Sequence, residues 1–333
     1  MRAFSCGRCG QLLFFENSVC LRCSTPQGVV PSQLDLVVLD DPPAGGPRPC
    51  ANLALAQCNW VVEPRDAGPL CFSCALTRTR PADDDAASLS AFAQAETAKR
   101  RLIYQLLDLH LPIEDDLAFD LLSSRSGPVI TGHDNGVITI DLAESDDAER
   151  EQRRAELGEP YRTMLGHFRH EIGHYYWPIL VQRTGGLTGW RALFGDERLD
   201  YDAELQRHHA EGPPADWADR HVSGYATMHP WEDWAETFAH YLHIRDTLQS
   251  AAAFGLIVAG PTQVADPSSL RAVPGNDHGW QSFEELIGDW LPLTYALNAL
   301  NRSMGRDDLY PFTLAPIVVE KLSFVHDRVR GLA

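Results

Sequence analysis

His170-Glu171-Ile172-Gly173-His174 decides how the rest of this 333-residue chain is read. Histidines four residues apart on a helix lie one above the other on the same face, so both imidazoles can reach one metal ion. Glu171 falls between them around the circumference, where its carboxylate can take a proton from a water molecule beside that metal. The pattern points to hydrolytic chemistry. The flanks supply the helix it needs: Tyr161 to Gln182 carries Met164, Leu165, Phe168, Ile172, Tyr175 and Ile179 at three-and-four spacing. Gly173 costs about 1 kcal/mol of helix propensity relative to Ala, a cost consistent with room being needed beside a metal or substrate. Pro178 has no N–H for the His174 carbonyl and clashes with it, so the helix is predicted to kink or end one turn after the second histidine. The competing reading is a buried helix with two satisfied core histidines.

Two histidines need a third protein ligand, and a catalytic zinc keeps its fourth position open. Met228 to His240 reads as a second amphipathic helix, with Pro230 as its first residue and Trp234, Phe238, Tyr241 and Leu242 on the apolar stripe. Glu232 and Glu236 share one face at i and i+4. Next to a zinc ion such a pair makes one ligand and one acceptor that steadies a histidine ring. Away from a metal, Glu232 and Asp233 would only complement the positive end of the helix dipole.

His170-Glu171-x-x-His174 followed by Glu232-Asp233-Trp234-Ala235-Glu236 resembles the glutamate-zincins (gluzincins), whose third ligand comes from a Glu-x-x-x-Glu/Asp motif on a later helix. More narrowly, the chain resembles the bacterial zinc-binding metallopeptidases that carry an N-terminal zinc-ribbon region. The resembling segments are Cys50 to Cys74, Gly132-His133-Asp134-Asn135-Gly136-Val137-Ile138-Thr139-Ile140, the HExxH helix, the Glu232 helix, Tyr310-Pro311-Phe312 and Glu320-Lys321-Leu322. The resemblance implies His170, His174 and Glu232 as zinc ligands, Glu171 as general base and Glu236 as a residue behind the ligands. In the lethal-factor branch of that clan a tyrosine seven residues before the ligand glutamate steadies the oxyanion; Tyr225 holds that place here. A phenol suits the task because it donates to the charge that develops on a carbonyl oxygen. His221 and His229 compete for the role, and an ordinary surface or core tyrosine is the alternative.

His167 could join the face of His170, although a fourth protein ligand would close the site. His208-His209 and His240-x-x-His243 have no matching acidic or cysteine partner nearby to complete a metal site and read as exposed or core residues.

All eight cysteines fall in the first 74 residues, as Cys6-x-x-Cys9, Cys20-x-x-Cys23, Cys50, Cys58 and Cys71-x-x-Cys74. Four thiolates satisfy tetrahedral zinc and leave no open position, so two structural zinc ions are expected. The first four make a compact ribbon pattern and the second four a looser one. An interleaved arrangement stays open. Disulfides are the rival use, but the chain runs straight from Met1 into the first knuckle, without a charged segment followed by an apolar core, and no run approaches a membrane span. A reducing cytoplasm is the expected setting, where thiolates hold metal.

The first 80 residues carry few long apolar helices and six prolines between the cysteine sets, so zinc would supply stabilisation that burial cannot. Within them, Gln33 to Leu39 reads as a short strand and Pro42 to Pro49 as a linker. Ser88 to Leu109 is helix-compatible; Val129-Ile130-Thr131 and Val137-Ile138-Thr139-Ile140 flank a turn and read as a hairpin, with Val137 to Leu142 the expected edge for an extended substrate. Phe283 to Leu300 and Pro316 to Val329 read as helices, and 260–279 as a loop. The expected class is α+β: a zinc-ribbon region over 1–80 with two four-cysteine sites, then a mostly helical zincin-like domain with a small sheet over 81–333.

The formal net charge is −18. Seven Arg against six Asp/Glu leave the first 80 residues at +1, so the acidity lies in the remainder. With two lysines and no basic run, the chain lacks the surface that phosphate binding needs, which weighs against a zinc-ribbon nucleic-acid-binding protein. The expected activity is a zinc-dependent peptidase with one catalytic zinc, acting on a peptide or protein substrate. The alternative from another class is a zinc-stabilised interaction module without turnover.

Overall fold

The computed structural model describes residues 2–40, 45–145, 162–260, 271–272, 274 and 282–331. The protein is α+β: an N-terminal zinc-ribbon domain with cysteine clusters, followed by a mostly helical part with small sheets. Its chain divides into two compact units, one taking Arg2–Arg153 and Thr163–Tyr175, the other Tyr176–Leu332. One helix, Met164–Trp177, contributes to both.

The first unit begins with short antiparallel pairs: β1 (Phe4–Ser5) with β2 (Leu12–Leu13), β3 (Gln27–Val30) with β4 (Asp35–Val38), and β5 (Arg48–Pro49) with β6 (Val61–Val62). The strand expected over 33–39 is thus β4, and the end of the expected 42–49 linker is β5; residues 41–44 lie outside the described residues. A single-turn helix α1 (Phe72–Ala75) leads into β7 (Thr77–Thr79). Next comes α2 (Ala86–Asp108), started by Asp85, whose carboxylate accepts from Ser88 N at 3.0 Å. This helix lies against the ribbon. The Tyr104 hydroxyl donates to Leu34 O at 2.8 Å and Arg100 Nη2 to Ala56 O at 3.1 Å, while Phe4, Phe15, Trp60 and Tyr104 form one aromatic cluster. Short strands alone bury too little to fold; α2 supplies the missing apolar face.

A four-stranded sheet in the order β7-β8-β10-β9 completes this unit, with β8 at Ala118–Leu122, β9 at Gly132–Asp134 and β10 at Val137–Asp141. Two expectations are corrected here. The hairpin's first strand is Gly132–Asp134 and not Val129–Thr131, because Asn135-Gly136 forms the two-residue turn and so pairs Asp134 with Val137. And Val137 to Leu142 is no edge: β10 is flanked by β8, in parallel, and by β9, which is one of the sheet's two edge strands.

The helix predicted around the HExxH run is α3 (Met164–Trp177). Thr163 Oγ1 accepts from Gly166 N at 3.0 Å at its start, and Tyr161 lies outside the described residues. The α-helix ends at Trp177, and Pro178–Gln182 continues as one π-helical turn, as the missing Pro178 donor requires.

The second unit holds α4 (Leu187–Phe194), α5 (Tyr201–Glu211), α6 (Pro230–Ala253), α7 (Phe283–Ser303) and α8 (Pro316–Arg330). Trp190, Phe194, Trp234, Phe238 and Tyr176 pack ring against ring through its core. Of the 260–279 loop, Arg271–Ala272 (β12) pairs with Val258–Ala259 (β11); apart from residues 260, 271–272 and 274 the segment lies outside the described residues. Among the described residues no helix is long and apolar enough to cross a membrane.

Candidate active site and metal centres

The eight cysteines form two separate quartets and are not interleaved. Cys6, Cys9, Cys20 and Cys23 bring their sulfurs within 4.8 Å of one another, and so do Cys50, Cys58, Cys71 and Cys74. All eight are free of disulfides. Neighbouring sulfurs stand 3.7 Å apart for Cys6 and Cys23, 3.6 Å for Cys9 and Cys20, and 3.6 Å for Cys58 and Cys71. A tetrahedron of Zn–S bonds has edges of about 3.8 Å, so both quartets fit zinc.

The knuckles follow from local backbone. Gly10 and Ser24, each next after the second cysteine of its pair, adopt φ of 69° and 58° and donate to Cys6 O and Cys20 O. In the second quartet, Cys71 N donates to Cys50 Sγ at 3.3 Å and Cys74 N to Cys71 Sγ at 3.5 Å. Hydrogen bonds from Cys58, Cys71 and Cys74 hold the Cys50 thiol far below its ordinary range; Thr25, through its hydroxyl and its backbone, holds Cys23 at about 6. Cys9 and Cys23 are half-buried, whereas the second quartet is wholly buried. Beside the second quartet lies Glu96, 3.7 Å from Cys74 Sγ and 2.6 Å from Lys99 Nζ, with the Thr77 hydroxyl and Arg100 completing a buried charge cluster. No periodic signal in the chain marks this cluster; it exists because α2 turns its polar residues toward the knuckle.

On α3, Phe168 and Ile172 are fully buried, and Phe168 packs on Phe119 of β8. The opposite side carries His170 and His174, whose Nε2 atoms stand 3.3 Å apart. Two ligand nitrogens on a tetrahedral zinc would stand about 3.3 Å apart, so this pair also fits the ion. Glu171 is buried, and its Oε2 has no hydrogen-bond partner among the described residues. One turn on, the Tyr175 hydroxyl accepts from Glu114 N at 3.0 Å, and burial pushes its pKa up to about 12. His167 does not turn to the histidine pair; its Nδ1 lies 2.5 Å from Glu144 Oε2. His133 of β9 lies parallel to His174, with ring centroids 6.5 Å apart, and burial followed by the charge of His174 lowers its pKa to about 4.

In the second unit Glu232 lies in the first turn of α6 and is buried, with Tyr201 donating to its Oε1 at 3.0 Å. Tyr201 is 31 residues upstream, and no spacing rule pointed to it. His229 is spent on the helix start: its Nδ1 accepts from Trp231 N at 3.1 Å and its Nε2 donates to Leu199 O at 3.3 Å. His221 stands 3.8 Å from Asp233, and burial lowers it to about 4. Asp233 is paired with Lys321 of α8 at 2.6 Å; burial raises the carboxyl to about 7 against the opposing pull of that ammonium. Glu236, one turn beyond Glu232, is half-buried, and its charge partly opposes the burial that lowers the pKa of His240 to about 4. His240 is core, hydrogen-bonded to the Tyr310 hydroxyl at 2.7 Å and packed on Phe312. Tyr225 sits in the 3-10 turn Tyr225–Thr227, its ring edge-on to His208 at 6.0 Å.

Comparison with known proteins adds to this geometry. Residues 88–328 match the model of a family described as "Putative zinc-binding metallo-peptidase", and residues 3–85 match a zinc-ribbon domain. The chain is similar to uncharacterized proteins of Mycobacterium bovis and Mycobacterium tuberculosis, each 52% identical over 341 residues, which cover 100% of this chain and 96% of the relative. No solved structure matches it.

Proposed function

The chain belongs to the family described as "Putative zinc-binding metallo-peptidase", and from that premise we propose that it hydrolyses peptide bonds as a gluzincin. The observation that carries the proposal is the pairing of His170 Nε2 and His174 Nε2 at 3.3 Å beside a buried Glu171 whose Oε2 lacks a partner among the described residues. A buried carboxylate oxygen left unpaired costs stability, and a proton-transfer task accounts for its retention.

In this reading His170, His174 and Glu232 hold the catalytic zinc, two imidazoles and a carboxylate being a ligand set of catalytic sites. A zinc ion there supplies Lewis acidity, which makes water more acidic and polarises a carbonyl. Glu171 takes the proton of the attacking water and returns it to the leaving nitrogen. Tyr225 donates to the carbonyl oxygen as charge develops on it. Tyr201 restrains Glu232, and Glu236 backs the ligand set from the next turn of α6. Residues 1–80 brace the catalytic part, 81–333, through the contacts of α2, with two structural zinc ions in the cysteine quartets. Free thiols in both quartets fit a reducing, cytoplasmic setting.

The test is zinc per chain, measured on protein purified without added metal or chelator, for the native chain beside the His170→Ala/His174→Ala double variant. Three ions falling to two, with peptide-library hydrolysis by the native protein alone, supports the reading. An unchanged zinc count together with no hydrolysis overturns it.

A further inference from the structure

His133 belongs to the Gly132–Gly136 run, which the zinc-peptidase reading leaves unused. Its conformation is set by the turn that follows it. Asn135 and Gly136 have φ of 47° and 85°, the left-handed pair of a two-residue hairpin turn closed by Asp134 and Val137. Position 136 admits only glycine, since a Cβ there would come within 2.6 Å of Asp116 O. The turn brings Gly136 N within 3.1 Å of His133 Nε2.

A ring nitrogen that accepts a backbone hydrogen bond carries no proton. The imidazole is therefore held neutral, with its single N–H on Nδ1. The half-buried ring lies parallel to His174, at 10° with centroids 6.5 Å apart, and edge-on to Tyr175. So the turn sequence, through one backbone hydrogen bond, fixes an uncharged imidazole, its N–H on Nδ1, stacked beside a histidine assigned to the metal. Neutrality matters there: a second cation would be repelled by a dication, whereas an N–H dipole can approach and still stabilise negative charge. The residue also lies on β9, an edge strand of the sheet.

We propose that His133 is a catalytic residue of this site, its Nδ1–H donating to the oxygen of the attacked carbonyl from the side of the sheet. The assignment rests on the zinc-peptidase reading above. It gives the Gly-His-Asp-Asn-Gly run a chemical reason: the histidine supplies the donor, and the Asn-Gly turn fixes which nitrogen bears the proton.

The experiment uses a phosphonodipeptide, whose tetrahedral phosphonate stands in for the attacked carbonyl, titrated calorimetrically into the full-length, zinc-replete protein with zinc counted in each sample. The variants are His133→Phe and His133→Ala, which remove the donor, and His133→Asn, whose amide nitrogen can occupy the place of Nδ1. The expected result is about 10- to 100-fold weaker phosphonate binding in the donor-free variants at an unchanged zinc count, with most of the loss recovered by Asn. Native-like affinity in the donor-free variants overturns the assignment. Loss of the third zinc together with the affinity also overturns it, since His133 would then only brace His174. A native protein that holds three zinc ions and ignores the phosphonate refutes the assignment while sparing the metal site. Two zinc ions and no phosphonate binding bring down the peptidase reading itself.

Discussion

The Tyr201 hydroxyl donates to Glu232 Oε1 across 3.0 Å, joining the first residue of α5 to the first turn of α6. A carboxylate with one oxygen so held has one fewer way to turn away from a metal. Tyr201→Phe removes only the hydroxyl. A hydrogen bond to a charged group is worth roughly 1.5–3 kcal/mol, so zinc at the HExxH site is expected to bind about 10- to 100-fold more weakly, with the quartets unaffected. Competition with a chromophoric chelator reads this directly. Native affinity in the Phe variant would mean that Tyr201 does not restrain Glu232 for metal binding.

Glu171→Gln keeps the shape of the side chain and removes its capacity to take a proton. It is expected to retain the native zinc count and lose at least about 100-fold in kcat on any peptide the native protein cleaves. Turnover near the native rate in a zinc-replete Glu171→Gln protein would show that another group is the base.

Lys99 and Glu96 form an ion pair at 2.6 Å with both side chains fully buried, next to Cys74. Lys99→Met leaves the buried Glu96 carboxylate with Arg100, 3.8 Å from its other oxygen, and the Thr77 hydroxyl. It is therefore expected to cost less than the about 3–5 kcal/mol of a wholly unpaired buried charge in denaturant unfolding, and the Glu96→Gln/Lys99→Met double variant, in which Arg100 keeps the Ala56 and Gln57 carbonyls, less again. Equal losses in both would show that the pair contributes packing and no specific charge compensation.

The two cysteine quartets differ in access. Cys9 and Cys23 are half-buried, while Cys50, Cys58, Cys71 and Cys74 are all buried. A chelator is therefore expected to remove zinc in two phases, the Cys6 quartet first, and Cys9→Ser should abolish the fast phase alone. A single phase, or loss of the slow phase in that variant, would contradict the ranking.

Much of this was legible in the chain because it depends on local spacing. His170 and His174 share a face by helical period, Pro178 ends the α-helix by removing a donor, and each Cys-x-x-Cys pair of the first quartet closes its own turn. A hairpin was legible too, but with Val129–Thr131 as its first strand and all of Gly132–Gly136 as its turn; the left-handed Asn135-Gly136 pair confines the turn to two residues and sets the register at Gly132–Asp134. What escaped is non-local. The parallel pairing of β10 with β8 depends on a segment outside the hairpin, and it makes β10 an inner strand. Tyr201 reaches Glu232 from another helix, and Lys321 reaches Asp233 from 88 residues away. Such partners leave no period in the sequence.

His240 provides a pH signature for the second unit. It is buried, bonded to the Tyr310 hydroxyl at 2.7 Å and packed on Phe312, and burial lowers its pKa from 6.5 to about 4 although Glu236 pulls the other way. The folded protein thus holds it neutral through a range in which the unfolded chain takes up a proton. The unfolded state binds more protons between pH 6.5 and about 4, so stability falls as the pH drops through that window, by about 1.4 kcal/mol per unit from this residue. Above about pH 6.5 both states are neutral at this position and it contributes no slope. His240→Gln does not titrate and retains a polar partner for Tyr310. Denaturant unfolding at several pH values from about 7.5 down to about 5 should give a steeper acid loss for the native protein than for the variant, the curves running parallel above about 6.5. Parallel curves throughout would mean that His240 takes up its proton as readily in the folded protein as in the unfolded chain, with Glu236 offsetting burial.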